Sequence, residues 1–444
     1  MRKVVRFIDL FAGMGGIRLG FEQAFKKAGY TPECVLSSEI KDIAVCTYKK
    51  NFGDENLVGD ITKVPSKEIP DFDFLLAGFP CQAFSVAGKQ RGFADTRGTL
   101  FFEVERILRD KKPYGFVLEN VKGLVTHDRK DNSDDMGRTL RTILHSLNEL
   151  GYKVTWNVLD GKDFGLAQKR SRVYIVGTRK DTISLENFEV RNAVFGDIME
   201  SNLPTDSGEF VTKLFQNYQP AELYGKSVKD KRGGENNIHS WDLGLKGDVT
   251  KEERLLLNTL LKERRKHHWA EKIGIDWMDG MPLTTEQIHT FFPSPNLQEM
   301  LDRLTQMGYL VHEHPKQRVA KKTGAKTSVI YERIPDTSKP KGYNIVSGKL
   351  SFKYSRILDP NSQTPTLVAM DLGTLGVIDN AGIRNLTLRE GLNLFGYPQE
   401  YTLEHFSGTK KGKNDGFDLL GNTVCVPVIE SICERLEKSY TRNK

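Results

Sequence analysis

Cysteine is scarce in this chain: five in 444 residues, at positions 34, 46, 81, 425 and 433. Their number is odd, their spacing wide, and no CxxC pair occurs. That excludes a disulfide framework and removes the commonest zinc signature. Long apolar runs are missing too, and none approaches the roughly 20 residues a helix needs to cross a bilayer. The N-terminal MRKVVRFID enters a strand-like pattern at once and leaves no room for a signal peptide. The expectation is a cytosolic protein, with neither membrane nor metal. Nor does one sign of charge dominate: 65 Lys and Arg stand against 58 Asp and Glu, a formal +7. Such a balance permits a polyanionic partner without demanding one. Its placement is uneven, however. From Tyr309 to Ile357 eleven Lys or Arg face three acids, Glu313, Glu332 and Asp336.

What is present has a rhythm. Up to about residue 180, β-branched or aromatic runs (VRFIDLF, ECVLSSE, FDFLLAGF, GFVLEN, YKVTWNVLD, RVYIVGTR) alternate with helix patterns. IRLGFEQAFKKAG, LFFEVERILRDK and MGRTLRTILHSLNELG are the clearest of those. Strand–helix alternation predicts an α/β domain with a largely parallel sheet. Ligands of such sheets sit beyond the carboxyl ends of the strands, so the residues following each strand matter most.

After about residue 185 the rhythm breaks, and 186–250 is rich in Asn, Gly, Asp and Pro. Residues 251–333 read as a module of their own. ERLLLNTLLKERRKHHW is helical, and LTTEQIHTFF opens with Thr284 and Gln287 in capping-box spacing. SPNLQEMLDRLTQMGY offers Ser294 as N-cap, Pro295 at the first helical position and Gly308 as terminator. Two strand-like runs around a basic turn follow. Helix, helix and basic hairpin outline a winged-helix-like, DNA-contacting module; a small bracing insertion is the plainer alternative. From about residue 385 regular patterns return, and VCVPVIESICERLEKSY predicts a closing helix.

The strand ends carry the chemistry. FIDLFAGMGG runs from a strand into a turn where Gly13, Gly15 and Gly16 permit close approach of a nucleotide-like ligand. Its spacing departs from GxGxxG, which lowers the dinucleotide reading. Glu39 ends the second strand, where a carboxylate can accept from two ribose hydroxyls. Asp60, after a third short run, can accept from an adenine amine. In LLAGFPCQAFS, Cys81 follows a strand and a rigid proline. A lone cysteine is ordinarily a buried hydrophobe, but a thiol at a strand–helix junction is open to activation as thiolate. Glu119 in ENV closes another strand on the same rim and is placed to act as an acid on a ring nitrogen. Arg170 and Arg172 in QKRSRVYIVG are two apart, so an extended run projects both to one side. Paired arginines suit phosphate or a base carbonyl.

Taken together, FIDLFAGMGG, SSE, GDI, GFPCQAFS, RGTLFFEVERIL, ENV, QKRSR, LTLREGLNLFGYP and GNTVCVPV, in that order, resemble the cytosine-C5 DNA methyltransferase family, particularly the bacterial restriction–modification type. The resemblance covers residues 5 to about 180 and about 384–429. It implies an adenosylmethionine-dependent methyltransferase (Rossmann-like) α/β large domain plus a smaller, irregular target-recognition domain with a winged-helix-like insertion. The implied boundaries are 1–184 for catalysis and cofactor, 185–384 for target recognition with 251–333 inserted, and 385–444 returning to the catalytic domain.

Carried over residue by residue, Cys81 resembles the nucleophile adding to cytosine carbon 6, and Glu119 the donor to ring nitrogen 3. Arg172 is implied at the cytosine carbonyl, with Arg170 supporting it and Gln168 on the DNA side. The implied cofactor is S-adenosyl-L-methionine. It would lie against Phe11, Gly13 and Gly15, with Glu39 on the ribose and Asp60 and Ile61 on the adenine. Pro80, Leu100, Asn422 and Val424 match further lining positions, and Ile40 stands where some members carry a tryptophan. Ser85, Lys89 and Arg97, in a stretch resembling the family's closing loop, are the implied phosphate contacts. The implied partner is double-stranded DNA with its target cytosine swung out of the stack, and a restriction endonuclease acting separately would accompany it. An RNA cytosine methyltransferase and a catalytically silent DNA-binding protein remain alternatives. The long basic insertion argues against the first, and the joint presence of Cys81, Glu119, Arg170 and Arg172 against the second.

Overall fold

Hydrophobic segments that succeed one another along the first 180 residues pair side by side in a single sheet. Its strands are β1 (Lys3–Leu10), β2 (Tyr30–Ser38), β3 (Leu57–Val58), β4 (Phe74–Ala77), β5 (Gly115–Val121), β6 (Lys153–Asp160) and β7 (Ser171–Thr178). They lie in the order β3-β2-β1-β4-β5-β7-β6, parallel from β3 to β5, with β7 antiparallel to both of its neighbours. Helices α1 (Gly16–Lys27), α2 (Asp42–Phe52), α3 (Leu100–Lys111) and α4 (Arg138–Glu149) connect them. This computed structural model describes residues 3–53, 55–79, 100–129, 131, 133–230, 236–322, 329–346, 352–369, 371–406 and 408–444.

Parallel strands covered on both faces need apolar residues at nearly every position. β4 meets that demand, its four residues being wholly buried, and β1 does so over Phe7–Leu10 except at Asp9. On one face Ile8, Leu10, Leu75, Phe116 and Leu118 pack with Phe101, Val104 and Ile107 of α3 and Leu140, Ile143 and Leu147 of α4. The other face is aromatic. Phe7 and Phe74 join Phe21 and Phe25 of α1, with ring centroids 4.4–5.3 Å apart. Each such ring contributes about 1.5–3 kcal/mol on burial.

The chain then builds a second unit, Ser201–Leu358 with Thr374–Asn385. It contains α5 (Glu209–Asn217), α6 (Pro220–Leu223), β8 (Ser227–Val228), β9 (Asn237–Ile238), α7 (Lys251–Glu263), α8 (His267–Ile273), α9 (Thr285–His289) and α10 (Leu297–Gln306). β10 (Leu310–Glu313), β11 (Lys316–Lys322), β12 (Val329–Pro335), β13 (Gly342–Ile345), β14 (Arg356–Ile357), β15 (Leu375–Asp379) and β16 (Gly382–Asn385) follow. A five-stranded sheet, β16-β15-β14-β8-β9, encloses a small core around Tyr354, Ile357, Ile378 and Ile383. The helical module has a separate core, in which Leu256, Leu257, Leu260, Trp269, Leu301, Leu304 and Tyr343 meet. Its order is helices, then β10, the antiparallel hairpin β11–β12, then β13, which pairs with β10 and bridges from Tyr343 to Leu283. The module therefore closes at 342–345, beyond the expected limit of 333.

The capping box at Thr284–Gln287 is present: Thr284 N donates to Gln287 Oε1 at 2.9 Å and Gln287 N to Thr284 Oγ1 at 3.4 Å. Ser294 is not the N-cap expected of it. Its hydroxyl donates to Glu252 Oε1 at 2.8 Å, and the helix starts later, after Asn296.

The large unit takes Met1–Glu200, Asp359–Gly373 and Leu386–Lys444, including α11 (Leu388–Leu394), α12 (Lys410–Asn422) and α13 (Val426–Asn443). Two stretches assigned by sequence to target recognition, 185–200 and 359–373, thus belong with the catalytic unit. The reasons are local. Arg435 of α13 donates to the carbonyls of Ser184, Glu186 and Asn187, and Arg191 exchanges backbone bonds with Asp163 and Gly165. Thr364 pairs with Ala167 and Lys169. Tyr440 of α13 closes the aromatic face, its ring 5.2 Å from that of Phe74. α13 lies close on α1 because Gly20 has no side chain; a Cβ there would stand 2.6 Å from Ile429 Cβ.

Candidate active site

The carboxyl ends of β1, β2, β4 and β5 open onto one cavity of about 340 Å³. Its first wall is the turn after β1. Phe11 takes φ 54°, a region L-residues rarely occupy, and Gly13 (φ 54°) leaves open space, since a Cβ there would meet nothing within 4 Å. Gly15, also left-handed, starts α1. Gly16 has no room for a side chain: a Cβ would lie 2.6 Å from Tyr397 Oη and 2.8 Å from Val424 Cγ2. That contact brings the segment 421–424 alongside as the opposite wall.

Glu39 ties the turn to the end of β2. Its Oε2 accepts from Gly13 N at 2.8 Å, and Oε1 from Ile40 N and Lys41 N, both at 2.8 Å. A carboxylate oriented by three backbone donors keeps lone pairs for hydroxyls. Asp60 is fixed in the same manner, with Oδ1 accepting from Thr62 N at 3.0 Å and Thr62 Oγ1 at 2.7 Å. Those bonds hold its carboxyl below the usual range. Ile40, 72% exposed, stands on the cavity rim beside Ile61. Leu100, Asn422 and Val424 line the same space. Thus Phe11, Gly13, Glu39, Ile40, Asp60, Ile61, Leu100, Asn422 and Val424 are brought together; Gly15 lies behind the turn, its Cβ position 2.3 Å from the Phe52 ring. Open space at Gly13, two oriented carboxylates and an exposed apolar rim suit a ribonucleoside. Pro80, Cys81, Ser85, Lys89 and Arg97 lie outside the described residues.

Glu119 and Arg172 sit deeper in the cavity. Glu119↔Tyr174 and Val121↔Arg172 are register partners of β5 and β7, so Arg172 faces Glu119 diagonally across the pair. Arg172 Nε lies 3.2 Å from Glu119 Oε1, with side chains 14% and 12% exposed. Burial pushes the Glu119 carboxyl above its ordinary value, while Arg172 and then Arg170 pull it back. The sum of these effects is raised, which keeps a proton on the acid closer to neutrality. Gly78 faces it: the position a Cβ would take is 3.7 Å from Glu119 Oε2.

Arg170 does something else. It is buried, and its guanidinium donates to the carbonyls of Leu367 (2.8 Å), Gly421 (3.1 Å) and Thr423 (2.6 Å). Burial, and then Arg172, lower it to about 10. This side chain lines the cavity while holding the 421–424 wall in place, so the two arginines do not act as a matched pair. Gln168, expected at DNA, is fully buried, with Nε2 donating to Leu394 O at 3.0 Å and Oε1 accepting from Leu367 N at 3.3 Å. One Nε2 proton and one Oε1 lone pair are thus used inside the protein.

The family profile for C-5 cytosine-specific DNA methylase matches residues 5–438. The chain belongs to that family. It is 58% identical over 432 residues to the type II methyltransferase M.NlaIV of Neisseria lactamica, covering 97% of this chain and 98% of that protein. Identity and coverage are the same for M.NgoBV of Neisseria gonorrhoeae. Among solved structures, the methyltransferase EhMeth of Entamoeba histolytica shares the fold, with TM-score 0.51, 15% identity and 99% of each chain covered. The enzyme is a DNA (cytosine-5)-methyltransferase with the α/β methyltransferase fold.

Sequence reasoning missed several residues that shape this methylase site. Asn120, between Glu119 and Val121, donates from Nδ2 to Phe79 O at 3.1 Å and so fixes the chain just before Pro80. Its place in the ENV run was the available signal. Asp9, Tyr48 and Arg18 form a buried chain under the turn: Tyr48 Oη donates to Asp9 Oδ2 at 3.3 Å, and Arg18 Nη1 to Tyr48 Oη at 3.0 Å. Burial pushes the Asp9 carboxyl up to about 8. Burial also raises the thiols of Cys34, to about 12, and Cys425, to about 11, which keeps both protonated.

Proposed function

We propose that this enzyme methylates carbon 5 of a flipped-out cytosine in duplex DNA through a covalent adduct on Cys81, with S-adenosyl-L-methionine as methyl donor. The observation that carries the reading is Glu119, a buried acid with raised pKa held 3.2 Å from Arg172 in the same cavity as the adenosine-type wall. When bound, S-adenosylmethionine supplies an electrophilic methyl group. Glu39 would hold its ribose, Asp60 its adenine amine, and Ile40 and Ile61 the adenine faces.

The Cys81 thiolate adds to carbon 6, forming a carbon–sulfur bond as the 5,6 double bond opens toward carbon 5. Glu119 donates its proton to ring nitrogen 3, so the charge of addition is neutralised where it develops. Arg172 orients Glu119 and reaches the base carbonyl. Carbon 5, now nucleophilic, takes the methyl group; its proton then leaves to a base, and expulsion of the Cys81 thiolate restores the double bond as nitrogen 3 returns its proton to Glu119. A cytosine inside a duplex is beyond the reach of such a site, hence base flipping. The type II names of its relatives support a role protecting DNA beside a separate restriction endonuclease, in the cytoplasm.

The test uses a 5-fluorocytosine duplex, in which the last proton cannot leave. Wild-type protein with S-adenosylmethionine is expected to form a denaturation-resistant adduct, while Cys81→Ala forms none and still binds the cofactor. Absence of adduct from wild-type protein that methylates the ordinary duplex would overturn the covalent route. Methyl label entering only RNA would overturn the substrate.

A further inference from the structure

The hairpin β11–β12 holds charge that the active site does not use. Between Lys316 and Pro335 the sequence has Lys316, Arg318, Lys321, Lys322, Lys326 and Arg333 against a single acid, Glu332. The register sorts them. Lys316 pairs with Pro335, Arg318 with Arg333, Ala320 with Tyr331 and Lys322 with Val329. Directly opposed residues share a face, so one face of the ribbon carries Lys316, Arg318, Arg333 and Tyr331, and no acid. Glu332, opposite Val319, belongs to the other face.

On the basic face Arg318 lies 3.9 Å from the centroid of the Tyr331 ring, and that ring is 54% exposed. A guanidinium stacked by its flat side keeps in-plane donors for a phosphate. Two-stranded ribbons alone are marginal, and this one is anchored at its base. Arg333 donates to Trp277 O at 2.8 Å and Asp276 O at 3.4 Å, and Asp336 N to Pro315 O at 2.7 Å. Trp277, 38% exposed, stacks on His267 at 4.8 Å and extends the aromatic–basic surface onto α8. The solvent side of α10 is different. It presents Gln298, Glu299, Asp302 and Gln306, and its Arg303 is committed to Glu253. Two acids on an exposed helix face repel a polyphosphate.

We propose that the Lys316–Arg318–Tyr331 face of this ribbon grips the phosphate backbone of the substrate duplex, and that α10, the last helix of the module, does not enter a groove. The proposal rests on duplex DNA being the substrate. Phosphate contacts position a protein without reading sequence, so their loss weakens methylated and unmethylated duplexes alike.

Full-length Lys316→Ala/Arg318→Ala is compared with wild type for DNA binding across a salt series and for methyl transfer. Loss of two phosphate contacts lowers the slope of log K against log salt by about 2, with an affinity loss of about tenfold or more at physiological salt. KM for DNA rises in step, while kcat at saturating DNA and cofactor affinity are unchanged. Arg318→Lys, which keeps the charge, retains the slope, and Glu299→Gln on α10 leaves it at the wild-type value. An unchanged slope and KM in the double variant, with wild-type methylation intact, overturns the inference alone. A steeper change in Glu299→Gln than in the double variant overturns it in favour of α10. Wild-type protein that methylates no DNA removes the functional reading beneath it.

Discussion

The protonation of two carboxyls sets the behaviour of this site at the scale of single residues. Glu119 is raised by burial and drawn partly back by Arg172 and Arg170. An acid must carry its proton to donate it, so the rate falls as pH climbs through the folded pKa of Glu119. Activation of Cys81 as thiolate runs the opposite way. The kcat profile is therefore expected to be bell-shaped, with an alkaline limb that disappears in Glu119→Gln and a maximum lower by about a hundredfold or more. Cofactor affinity measured by calorimetry is expected to stay within about twofold, because Glu119 is not among the ribose or adenine contacts. An alkaline limb persisting in the variant would assign it to another group.

Asp9 gives a stability counterpart. Its pKa of about 8 lies above the ordinary 3.8, chiefly through burial, so folding favours the protonated form. Its contribution is complete below about pH 4 and is lost as pH rises through about 8. Asp9→Asn, still able to accept from Tyr48, is expected to gain on wild type by about 1 kcal/mol or more between pH ~5 and ~9 in urea unfolding. A constant difference across that range would mean that Asp9 titrates normally.

Elements make the site through close approach, and here the sequence was only partly legible. The strand ends carrying Glu39, Asp60 and Glu119 were readable because parallel α/β sheets place ligands there. The partners of Arg170 were not legible, since alternation along a strand says nothing about acceptors. Its three carbonyls lie 197 to 253 residues away, and no local period encodes them. The burial of Gln168 was hidden for the same reason. Gly16 was read as part of the ligand turn and Gly20 was not singled out, yet both serve mainly to admit another segment of chain. In Gly20→Ala the new methyl meets Ile429 Cβ at 2.6 Å and the Glu430 backbone N at 2.9 Å, so backbone as well as side chain must yield. A loss of about 1–3 kcal/mol is expected from overpacking, against the gain of up to about 1 kcal/mol that alanine brings to a free helix. Equilibrium unfolding showing a more stable variant would mean that α13 shifts at little cost.

For the molecule as a whole, the consequence is that the catalytic unit is assembled from both ends of the chain. Residues before Glu200 supply every strand of the seven-stranded sheet, but the cavity wall 421–424 and the helix covering α1 come from beyond Leu386. The motif order in the sequence hinted at this return without indicating what it covers. A chain ending at Asn385 keeps Glu39, Asp60 and Glu119, yet exposes Phe25 and Phe74 where Tyr440 had packed. It also leaves the Arg170 guanidinium without the acceptors at 421 and 423, and a buried donor without a partner costs about 1–3 kcal/mol. With net stabilities of only about 5–15 kcal/mol for a domain, the loss of one aromatic face and one wall exceeds the margin. The truncated protein is therefore expected to bind no S-adenosylmethionine and to melt without a cooperative transition. Adding residues 386–444 as a separate chain during expression is expected to restore both, because the contacts they make are tertiary and need no covalent link. Cofactor binding by the truncated chain alone would show that the first 200 residues hold the adenosine pocket by themselves, with the C-terminal segment serving only as its cover.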